Sequence, residues 1–368
     1  MRVVVIGAGA AGLAAAAALS RHGIAADVLD RNSGIGESWR RRYDGLHLHT
    51  PRSHSSLPFR SIPRDWPTYL RRDEVAAYLE DYAASFDIQP RFGVDVREVA
   101  PEGVGWRVVT GDGIERADAV IVAAGQNARP NTPHWSGLED FPGAVLHSSE
   151  YRNPGDLDGR VLVIGFGNSG ADIALELCEA GRQVELAVRS PVNIVPRDLL
   201  GLPTVKLQLL QKILGARVAD RITGPVLRLT IGDISRLGLR RAAIGPATQI
   251  IETGRVPVLD HGVMARIRDG SIRVRPGVER SVGDEMFFED GTRAEFDHLV
   301  LATGFRSGLA DLLPSALHVL APNGLPRAHG APGLMPGLYF CGYATRPSGQ
   351  FRSSGEDAQR IARHIARG

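Results

Sequence analysis

The stretch that decides the fold is VVVIGAGAAG, residues 3–12. Its first four residues are all apolar, as expected of a short parallel strand that is buried on both faces. The three glycines that follow have the pattern G-x-G-x-x-G: Gly7, Gly9 and Gly12. The Ala-rich run 13–19 favours a helix, and a second apolar strand, 26–29, ends at Asp30. This order of elements predicts a dinucleotide-binding unit.

The same arrangement recurs at VLVIGFGNSG, residues 161–170. Its glycines repeat the pattern: Gly165, Gly167 and Gly170. A helical run, 171–180, and an apolar strand, 184–188, follow, and this strand ends at Arg189. The interval from the first glycine to the strand-end charge is 23 residues in the first unit and 24 in the second. One such turn is weak grounds for a nucleotide site, but two with matching flanks are strong grounds.

The charge at the end of each second strand predicts which nucleotide binds. The Asp30 carboxylate accepts hydrogen bonds from a free ribose hydroxyl and repels a phosphate, so it suits FAD or NAD. The Arg189 guanidinium, which Ser190 follows, suits a 2′-phosphate. The two units therefore predict one site for a flavin dinucleotide and one for NADPH, with the flavin reduced by the nicotinamide.

The remaining apolar runs complete the two sheets. Runs 106–110 and 117–122 predict two further strands of the first sheet, and run 299–301 predicts a buried strand of the second. Each of the last two runs precedes a matching triplet, Ala-Ala-Gly or Ala-Thr-Gly, which we expect where the chain crosses between domains. We therefore predict an α/β fold with two Rossmann-like dinucleotide-binding domains, one inserted in the other. The predicted bounds are 1–145 and 306–368 for the FAD domain and 146–305 for the NADPH domain.

Residues 195–255 do not fit the repeat. They are rich in Leu and Ile, with Leu207, Leu210 and Leu214 at helical spacing, and Pro and Gly interrupt them. The composition predicts an inserted helical subdomain with a small core of its own. It also fits an apolar lid over the substrate, or a surface through which two copies pair as a homodimer, and these alternatives stay open.

Composition and charge exclude several classes of protein. The chain has 368 residues with 43 basic and 41 acidic side chains, a balance that argues against a nucleic-acid partner. Its two cysteines, Cys178 and Cys341, form no C-x-x-C pair, which excludes a dithiol redox centre and a cysteine zinc site. A membrane span needs about 18 consecutive apolar residues, and the sequence has no such stretch. We expect a cytoplasmic protein without a metal.

Between the two units lies the string F-x-G-x-x-x-H-x-x-x-Y. Its fixed residues are Phe141, Gly143, His147 and Tyr151. This string resembles the identifying motif of the flavin-containing monooxygenases. Further segments also match that family: LHLHTP (46–51), WPTY (66–69), GFGNSG (165–170), VPVLD (256–260) and ATGFRS (302–307). LHLHTP, WPTY and VPVLD resemble the plant YUCCA-type branch and its bacterial relatives in particular, and the resemblance covers nearly the whole chain.

The resemblance implies an NADPH-dependent FAD monooxygenase. In such enzymes NADPH reduces FAD, oxygen gives a C4a-hydroperoxyflavin, and a small organic substrate takes one oxygen atom. The chemistry belongs to the cofactor, which agrees with the lack of a catalytic constellation of side chains. The residues that we expect along FAD are Gly7, Gly9, Gly12, Asp30, Trp39, Thr50, Val96, Gly125 and Gly342. Those that we expect along NADPH are Gly165, Gly167, Asn168, Ser169, Gly170, Arg189, Ser190 and Thr303.

Two positions depart from patterns of related enzymes. In many family members an Asn precedes Thr-Pro near the flavin and helps to hold the peroxide, whereas here His49 precedes Thr50. His49 is therefore the one candidate catalytic side chain. The identifying motif ends in Tyr151, whereas the related Baeyer–Villiger type ends in Trp, so ketone oxygenation is the weaker alternative. We assign His147 a structural role in the linker between domains.

The resemblance indicates the substrate only by its chemical class. The YUCCA-like segments imply a 2-oxo acid such as indole-3-pyruvate, and the wider family implies sulfides and amines. Two other activities stay open: Baeyer–Villiger oxygenation of ketones, and an NADPH oxidase or flavin reductase that transfers no oxygen to a substrate. We expect a small-molecule substrate and O2 as the reaction partners.

Overall fold

The structure is a computed structural model of this chain, and it describes residues 1–199, 201–207, 211 and 213–368. The described residues form two units. Unit 1 comprises Met1–Arg40, Thr50–Arg129 and Phe305–Gly368. Unit 2 comprises Arg41–His49 and Pro130–Gly304, so it interrupts unit 1 in sequence.

Unit 1 contains a parallel sheet of five strands. Their spatial order is Leu338–Phe340, Ala119–Val122, Val3–Ile6, Ala26–Asp30 and Arg91–Phe92. In the central strand Val3 pairs with Ala26 on one side and with Ala119 on the other. All four residues of this strand are buried, as a parallel strand covered on both faces requires. The α-helices of unit 1 are Ala10–Ser20, Glu37–Arg40, Arg52–Ser55, Arg72–Ser85, Leu309–Leu312 and Gln350–Ile365.

One strand predicted for this sheet lies elsewhere. Gly105–Thr110 is the middle strand of a separate antiparallel sheet, between Val96–Glu102 and Gly113–Ala117. The prediction that run 106–110 belongs to the parallel sheet is therefore wrong. Burial alternates along Gly105–Thr110, which is typical of a sheet with one covered face, whereas Ala119–Val122 is buried throughout.

Unit 2 repeats the five-stranded parallel sheet. The spatial order is Ile272–Arg275, Gln183–Ala187, Arg160–Ile164, His298–Leu301 and Ala144–His147. Its smaller sheets contain Val278–Val282, Glu285–Phe288 and Arg293–Glu295; Ile194–Pro196 and Val258–Asp260; and Asp198–Leu199 and Leu202–Pro203. Its α-helices include Asn168–Glu179, Ala216–Ile231, Pro246–Thr253 and Val263–Arg268. The predicted α/β class with two Rossmann-like parallel sheets is confirmed.

The units begin and end at other residues than the sequence predicted. Residues 130–145 belong to unit 2 and not to the first domain, because Ala144–His147 is an edge strand that pairs with His298–Leu301. Arg41–His49 also belongs to unit 2. One reason is the backbone N–H of Asp44, which donates a 2.8 Å hydrogen bond to the carbonyl of Arg152.

The insertion at 195–255 is partly helical. Three of its apolar residues lie in the same buried cluster as the strands of the parallel sheet: Ile231, Ile234 and Leu239. The expectation of a small core of its own stays a prediction. Leu210 lies outside the described residues. None of the described helices has the length and apolar character needed to cross a membrane.

Candidate active site

The glycine turn of unit 1 is held by two close approaches of the backbone. Gly7 has φ of +108°, and a Cβ built on it would lie 2.5 Å from the carbonyl oxygen of Ala123. A Cβ on Gly12 would lie 1.7 Å from the carbonyl oxygen of Gly7. Only glycine fits at both positions, because a side chain would collide with these backbone oxygens. The close approach lets the helix pack directly on the strand.

The glycine turn of unit 2 has the same geometry. Gly165 also has φ of +108°, and a Cβ there would lie 2.5 Å from the carbonyl oxygen of Ala302. A Cβ on Gly170 would lie 2.0 Å from the carbonyl oxygen of Gly165. The resemblance between the two sequence repeats therefore extends to the backbone contacts of the turns.

The middle glycine of each turn faces open space. A Cβ built on Gly9 or on Gly167 meets none of the chain's atoms within 4 Å. These two glycines are also the N-caps of the following helices, and neither helix has a side-chain cap. The first-turn N–H groups and the positive end of the helix dipole therefore remain for an anion. Both turns thus fit the pyrophosphate of a dinucleotide.

Asp30 lies at the end of its strand, beside the first turn. Its carboxylate accepts hydrogen bonds of 2.6 Å from the N–H of Ala8 and 2.7 Å from the N–H of Asn32. The Asn32 side-chain amide donates a third bond of 2.8 Å. The carboxylate is therefore fixed in position next to the turn, which is where a ribose hydroxyl would need an acceptor.

The other residues predicted along FAD lie at several places in unit 1. The Trp39 ring is 5.8 Å from that of Phe351, and the Thr50 hydroxyl is 2.8 Å from that of Ser55. Gly125 and Gly342 both have positive φ. A Cβ on Gly342 would lie 2.6 Å from the Cβ of Ala11 in the first-turn helix, so this glycine lies against the turn.

Val96 is the exception among these residues. It begins the antiparallel strand Val96–Glu102. Its neighbour Val94 donates its N–H to the carbonyl of Asp30 at 3.0 Å and is buried. Val94 is therefore the valine that the structure places beside Asp30. The sequence has valines at positions 94 and 96, and it does not show by itself which of them lies there.

The residues predicted along NADPH connect the second turn to other segments of unit 2. The Asn168 side chain accepts a 2.8 Å bond from the N–H of Leu259 and donates to the carbonyl of Pro257 at 3.4 Å. Asn168 therefore holds the VPVLD segment against the turn. The Thr303 hydroxyl donates to the carbonyl of Asn131 at 2.6 Å.

Arg189 and Ser190 are exposed at the end of their strand. The guanidinium of Arg240, also exposed, donates a hydrogen bond to the carbonyl oxygen of Arg189. Two arginines thus lie together at the end of this strand. Sequence reasoning missed Arg240, because no spacing relates the insertion to the strand end.

Three of the fixed residues of the identifying motif, Gly143, His147 and Tyr151, make close contacts within unit 2. A Cβ on Gly143 would lie 1.7 Å from the carbonyl oxygen of Asp297. The His147 Nε2–H donates to the carbonyl of Gly304 at 3.0 Å, and the Tyr151 hydroxyl donates to Glu176 at 3.1 Å. Burial lowers the pKa of His147. Buried and fully engaged in this way, His147 has the contacts of a structural residue.

His49 belongs to a buried cluster around Asp172. The carboxylate of Asp172, only 8% exposed, lies 3.4 Å from His49 Nε2 and 2.8 Å from His261 Nε2. The Tyr43 hydroxyl donates to the same carboxylate at 2.7 Å, and Ser169 of the glycine turn bonds to that hydroxyl. Sequence reasoning identified two residues of this cluster, His49 and Ser169. It missed the other three, which are Tyr43, Asp172 and His261.

The contacts within the cluster shift the pKa values of its members in opposite directions. Burial alone would raise the pKa of Asp172, but the hydrogen bonds and charges of His261 and His49 outweigh it and hold that pKa well below its usual range. The hydrogen bond to Asp172 in turn raises the pKa of His261. Burial, with the Asp172 charge second, raises the pKa of Tyr43 well above its usual value. Within the described residues no group of three or more His, Cys, Asp or Glu side chains is arranged to hold a metal ion.

Comparisons with known proteins agree with this geometry. The chain is 36% identical to the indole-3-pyruvate monooxygenase YUCCA1 of Oryza sativa subsp. japonica, over 98% of this chain and 90% of that protein. It is 38% identical to YUCCA6 of Arabidopsis thaliana, over 98% and 89%. A solved flavin-containing monooxygenase from Stenotrophomonas maltophilia is 26% identical with a TM-score of 0.76, over 99% of this chain and 97% of that chain. A cyclohexanone monooxygenase from Rhodococcus sp. Phi1, 21% identical over 100% and 84% with a TM-score of 0.73, shares the fold.

The fold and the two turns define a flavoprotein oxidoreductase with two dinucleotide sites. Residues 4–200 match the family described as pyridine nucleotide-disulphide oxidoreductase. The chain belongs to this family and, within it, to the YUCCA-type flavin monooxygenases, which makes it an FAD- and NADPH-dependent monooxygenase. The disulphide in the family's description has no counterpart here, because Cys178 and Cys341 are both free.

Proposed function

We propose that this monooxygenase oxidises a 2-oxo acid such as indole-3-pyruvate with loss of its carboxyl group. The balanced reaction converts the 2-oxo acid, O2, NADPH and a proton into the next shorter carboxylic acid, CO2, NADP⁺ and water. The observation that carries the proposal is the near full-length identity to enzymes named as indole-3-pyruvate monooxygenases. The segments LHLHTP, WPTY and VPVLD support the same branch.

The proposal assigns each unit one cofactor. In unit 1 the first-turn N–H groups bind the FAD pyrophosphate and Asp30 accepts from its ribose. The residues proposed along FAD are Gly7, Gly9, Gly12, Asp30, Trp39, Thr50, Val94 or Val96, Gly125 and Gly342. In unit 2 the second turn binds NADPH, with Arg189, Ser190 and Arg240 at its 2′-phosphate. FAD, when bound and reduced by NADPH, supplies the reaction with O2.

A substrate panel tests the proposal. The purified protein, loaded with FAD, is given NADPH in air with indole-3-pyruvate, a methyl sulfide, a tertiary amine or a cyclic ketone. We expect the shorter acid and CO2 from the 2-oxo acid, with little hydrogen peroxide per NADPH consumed. A lactone or ester from the ketone would favour the Baeyer–Villiger alternative, and hydrogen peroxide alone in every case would favour the oxidase.

Two further assignments are part of the proposal. The free state of both cysteines supports a reducing, cytoplasmic location. The helix Ala216–Ile231 exposes apolar side chains at helical spacing, with Ile222 51% and Leu229 88% exposed, and this face supports pairing of two copies. Light scattering of the wild type and of a Leu229→Glu variant tests the pairing, since a dimer through this face should dissociate in the variant.

A further inference from the structure

One arginine joins the end of LHLHTP to the segment WPTY in unit 1. Arg52, the residue after LHLHTP, donates its backbone N–H to the carbonyl of Thr68 at 2.7 Å. Its guanidinium donates to the carbonyl of Trp66, 14 residues further along the chain. Both acceptors belong to WPTY. Arg52 therefore holds WPTY in a fixed position next to the end of LHLHTP.

The guanidinium of Arg52 keeps most of its donors for a ligand. Within the described residues it makes one hydrogen bond, to the Trp66 carbonyl, and no ion pair. Arg52 is half-buried, so only part of its charge faces solvent. A guanidinium has five N–H donors and can bind a carboxylate through two parallel hydrogen bonds. This arginine is therefore suited to bind a carboxylate that the chain itself does not supply.

The Trp66 ring belongs to the residue whose backbone binds this guanidinium. Trp66 is also half-buried. In the part of the chain that the structure describes, no other ring and no cation stacks on the indole, and its Nε1–H has no acceptor. An indole with part of its surface open favours contact with another aromatic ring. A cation and an aromatic surface are thus offered by two residues in direct contact.

Contacts within unit 1 connect Arg52 to residues proposed along FAD. Thr50 precedes Arg52 by two residues, and a Cβ on Gly349 would lie 2.9 Å from its Cγ2. The next residue, Gln350, donates its side-chain amide to the carbonyl of Gly342 at 2.5 Å. Gly342 in turn lies against the first-turn helix. A series of contacts therefore leads from Arg52 through Thr50 to the first glycine turn without leaving unit 1.

We propose that Arg52 binds the carboxylate of the substrate and that Trp66 stacks on its aromatic ring. In indole-3-pyruvate two carbon atoms lie between the ring and the carboxylate, so residues in contact with each other can bind both groups. Sulfides, amines and ketones without a carboxylate gain nothing from Arg52. The two roles rest on the proposed oxidation of a 2-oxo acid, and they make Arg52 and Trp66 the residues that select an aromatic one.

Binding without turnover tests the role of Arg52. Indole-3-lactate keeps the ring and the carboxylate of indole-3-pyruvate, whereas tryptophol keeps the ring alone. In calorimetry without NADPH, we expect Arg52→Gln holoenzyme to bind indole-3-lactate about tenfold or more weakly, the effect of losing a hydrogen bond between charged groups. Its affinity for tryptophol should stay within about twofold of the wild type, because that ligand has no charge to lose. Arg52→Lys, which keeps the charge but not the fork, should recover part of the affinity.

The role of Trp66 is tested with an aliphatic acid. We expect Trp66→Leu to bind indole-3-lactate about threefold or more weakly, and 2-hydroxy-4-methylpentanoate within about twofold of the wild type, because only the first ligand has a ring to stack. Trp66→Phe, which keeps a ring, should lose less affinity than Trp66→Leu. In turnover, both Arg52→Gln and Trp66→Leu should raise KM for indole-3-pyruvate and leave kcat within about twofold, as expected when binding alone is weakened.

Arg64→Gln is the matched control, since Arg64 is an exposed arginine two residues before Trp66. It should bind every ligand as the wild type does. Equal losses for indole-3-lactate and tryptophol in Arg52→Gln would overturn the proposal, because they would mean that Arg52 only holds WPTY in place. A wild type that does not bind indole-3-lactate would overturn it as well. A wild type that binds this acid through Arg52 but oxidises no 2-oxo acid would support the site and contradict only the proposed function.

Discussion

Arg189 is the residue that we propose for nucleotide choice in unit 2. It is exposed at the strand end, with the Arg240 guanidinium on its carbonyl oxygen. Hydrogen bonds to a charged group are worth roughly 1.5–3 kcal/mol, so we expect Arg189→Ala to raise KM for NADPH by about one to two powers of ten. KM for NADH, which has no 2′-phosphate, should change little.

Arg273→Ala is the control for Arg189, since Arg273 is an exposed arginine on the neighbouring strand, Ile272–Arg275. It should leave both constants unchanged. Steady-state kinetics with the two nucleotides decide the matter. Equal increases for NADPH and NADH in Arg189→Ala would mean that this arginine does not recognise the 2′-phosphate.

Asp30 should control the retention of FAD. Its carboxylate already bonds to Ala8 and Asn32, so it is pre-positioned for the ribose. We expect the wild type to purify yellow, with one non-covalent FAD, and Asp30→Ala to lose FAD on gel filtration. Asp27→Ala, in the same strand with an ion pair to Arg2, is the control and should stay yellow. Wild type that is colourless and cannot be reconstituted with FAD would contradict the assignment.

At the level of elements, the second glycine turn offers two substitutions with opposite expectations. Gly170→Ala places a Cβ within 2.0 Å of a backbone oxygen, so the helix must move away from the sheet. Gly167→Ala meets nothing within 4 Å, but its methyl group occupies the space proposed for the pyrophosphate. We expect the first variant to lose several degrees in Tm and the second to keep its Tm and bind NADP⁺ at least about tenfold more weakly.

Thermal unfolding and titration with NADP⁺ measure both quantities. Each variant is the control for the other, because both add the same methyl group to the same turn. A Gly167→Ala variant that binds NADP⁺ as the wild type does would show that this turn does not hold the pyrophosphate. A Gly170→Ala variant with unchanged Tm would show that the close approach to Gly165 is not required.

The elements also show why prediction from the sequence succeeds in some places and fails in others. The two glycine turns are local, so the spacing of their glycines alone predicts their backbone geometry. Run 106–110 contains Trp106, Val108 and Val109, so its apolar character alone does not decide which sheet it joins. Only its pairing with 96–102 does so. Asp172 lies 123 residues from His49, and no local pattern relates residues that meet only after unit 2 has folded.

For the whole molecule, the measure of function is how much oxygen reaches the substrate rather than hydrogen peroxide. That ratio depends on how firmly NADP⁺ and the segments around it are held, because loosening them admits water. Asn168 is the side chain that ties the second turn to VPVLD, through Leu259 and Pro257. We therefore expect Asn168→Ala to consume NADPH at a comparable rate but to release about two- to tenfold more hydrogen peroxide per NADPH, the fold expected when about 0.5–1.5 kcal/mol of hydrogen bonding is lost.

Asn153→Ala is the matched control for this last substitution. Asn153 also belongs to unit 2 and also makes two side-chain hydrogen bonds, to Gly155 and Asp44, but lies outside the glycine turn. Its coupling should equal that of the wild type when hydrogen peroxide and NADPH are measured in the same reaction. If Asn168→Ala remains as well coupled as this control, then the turn and the VPVLD segment do not act together in protecting the oxygen transfer, and other residues must control the coupling.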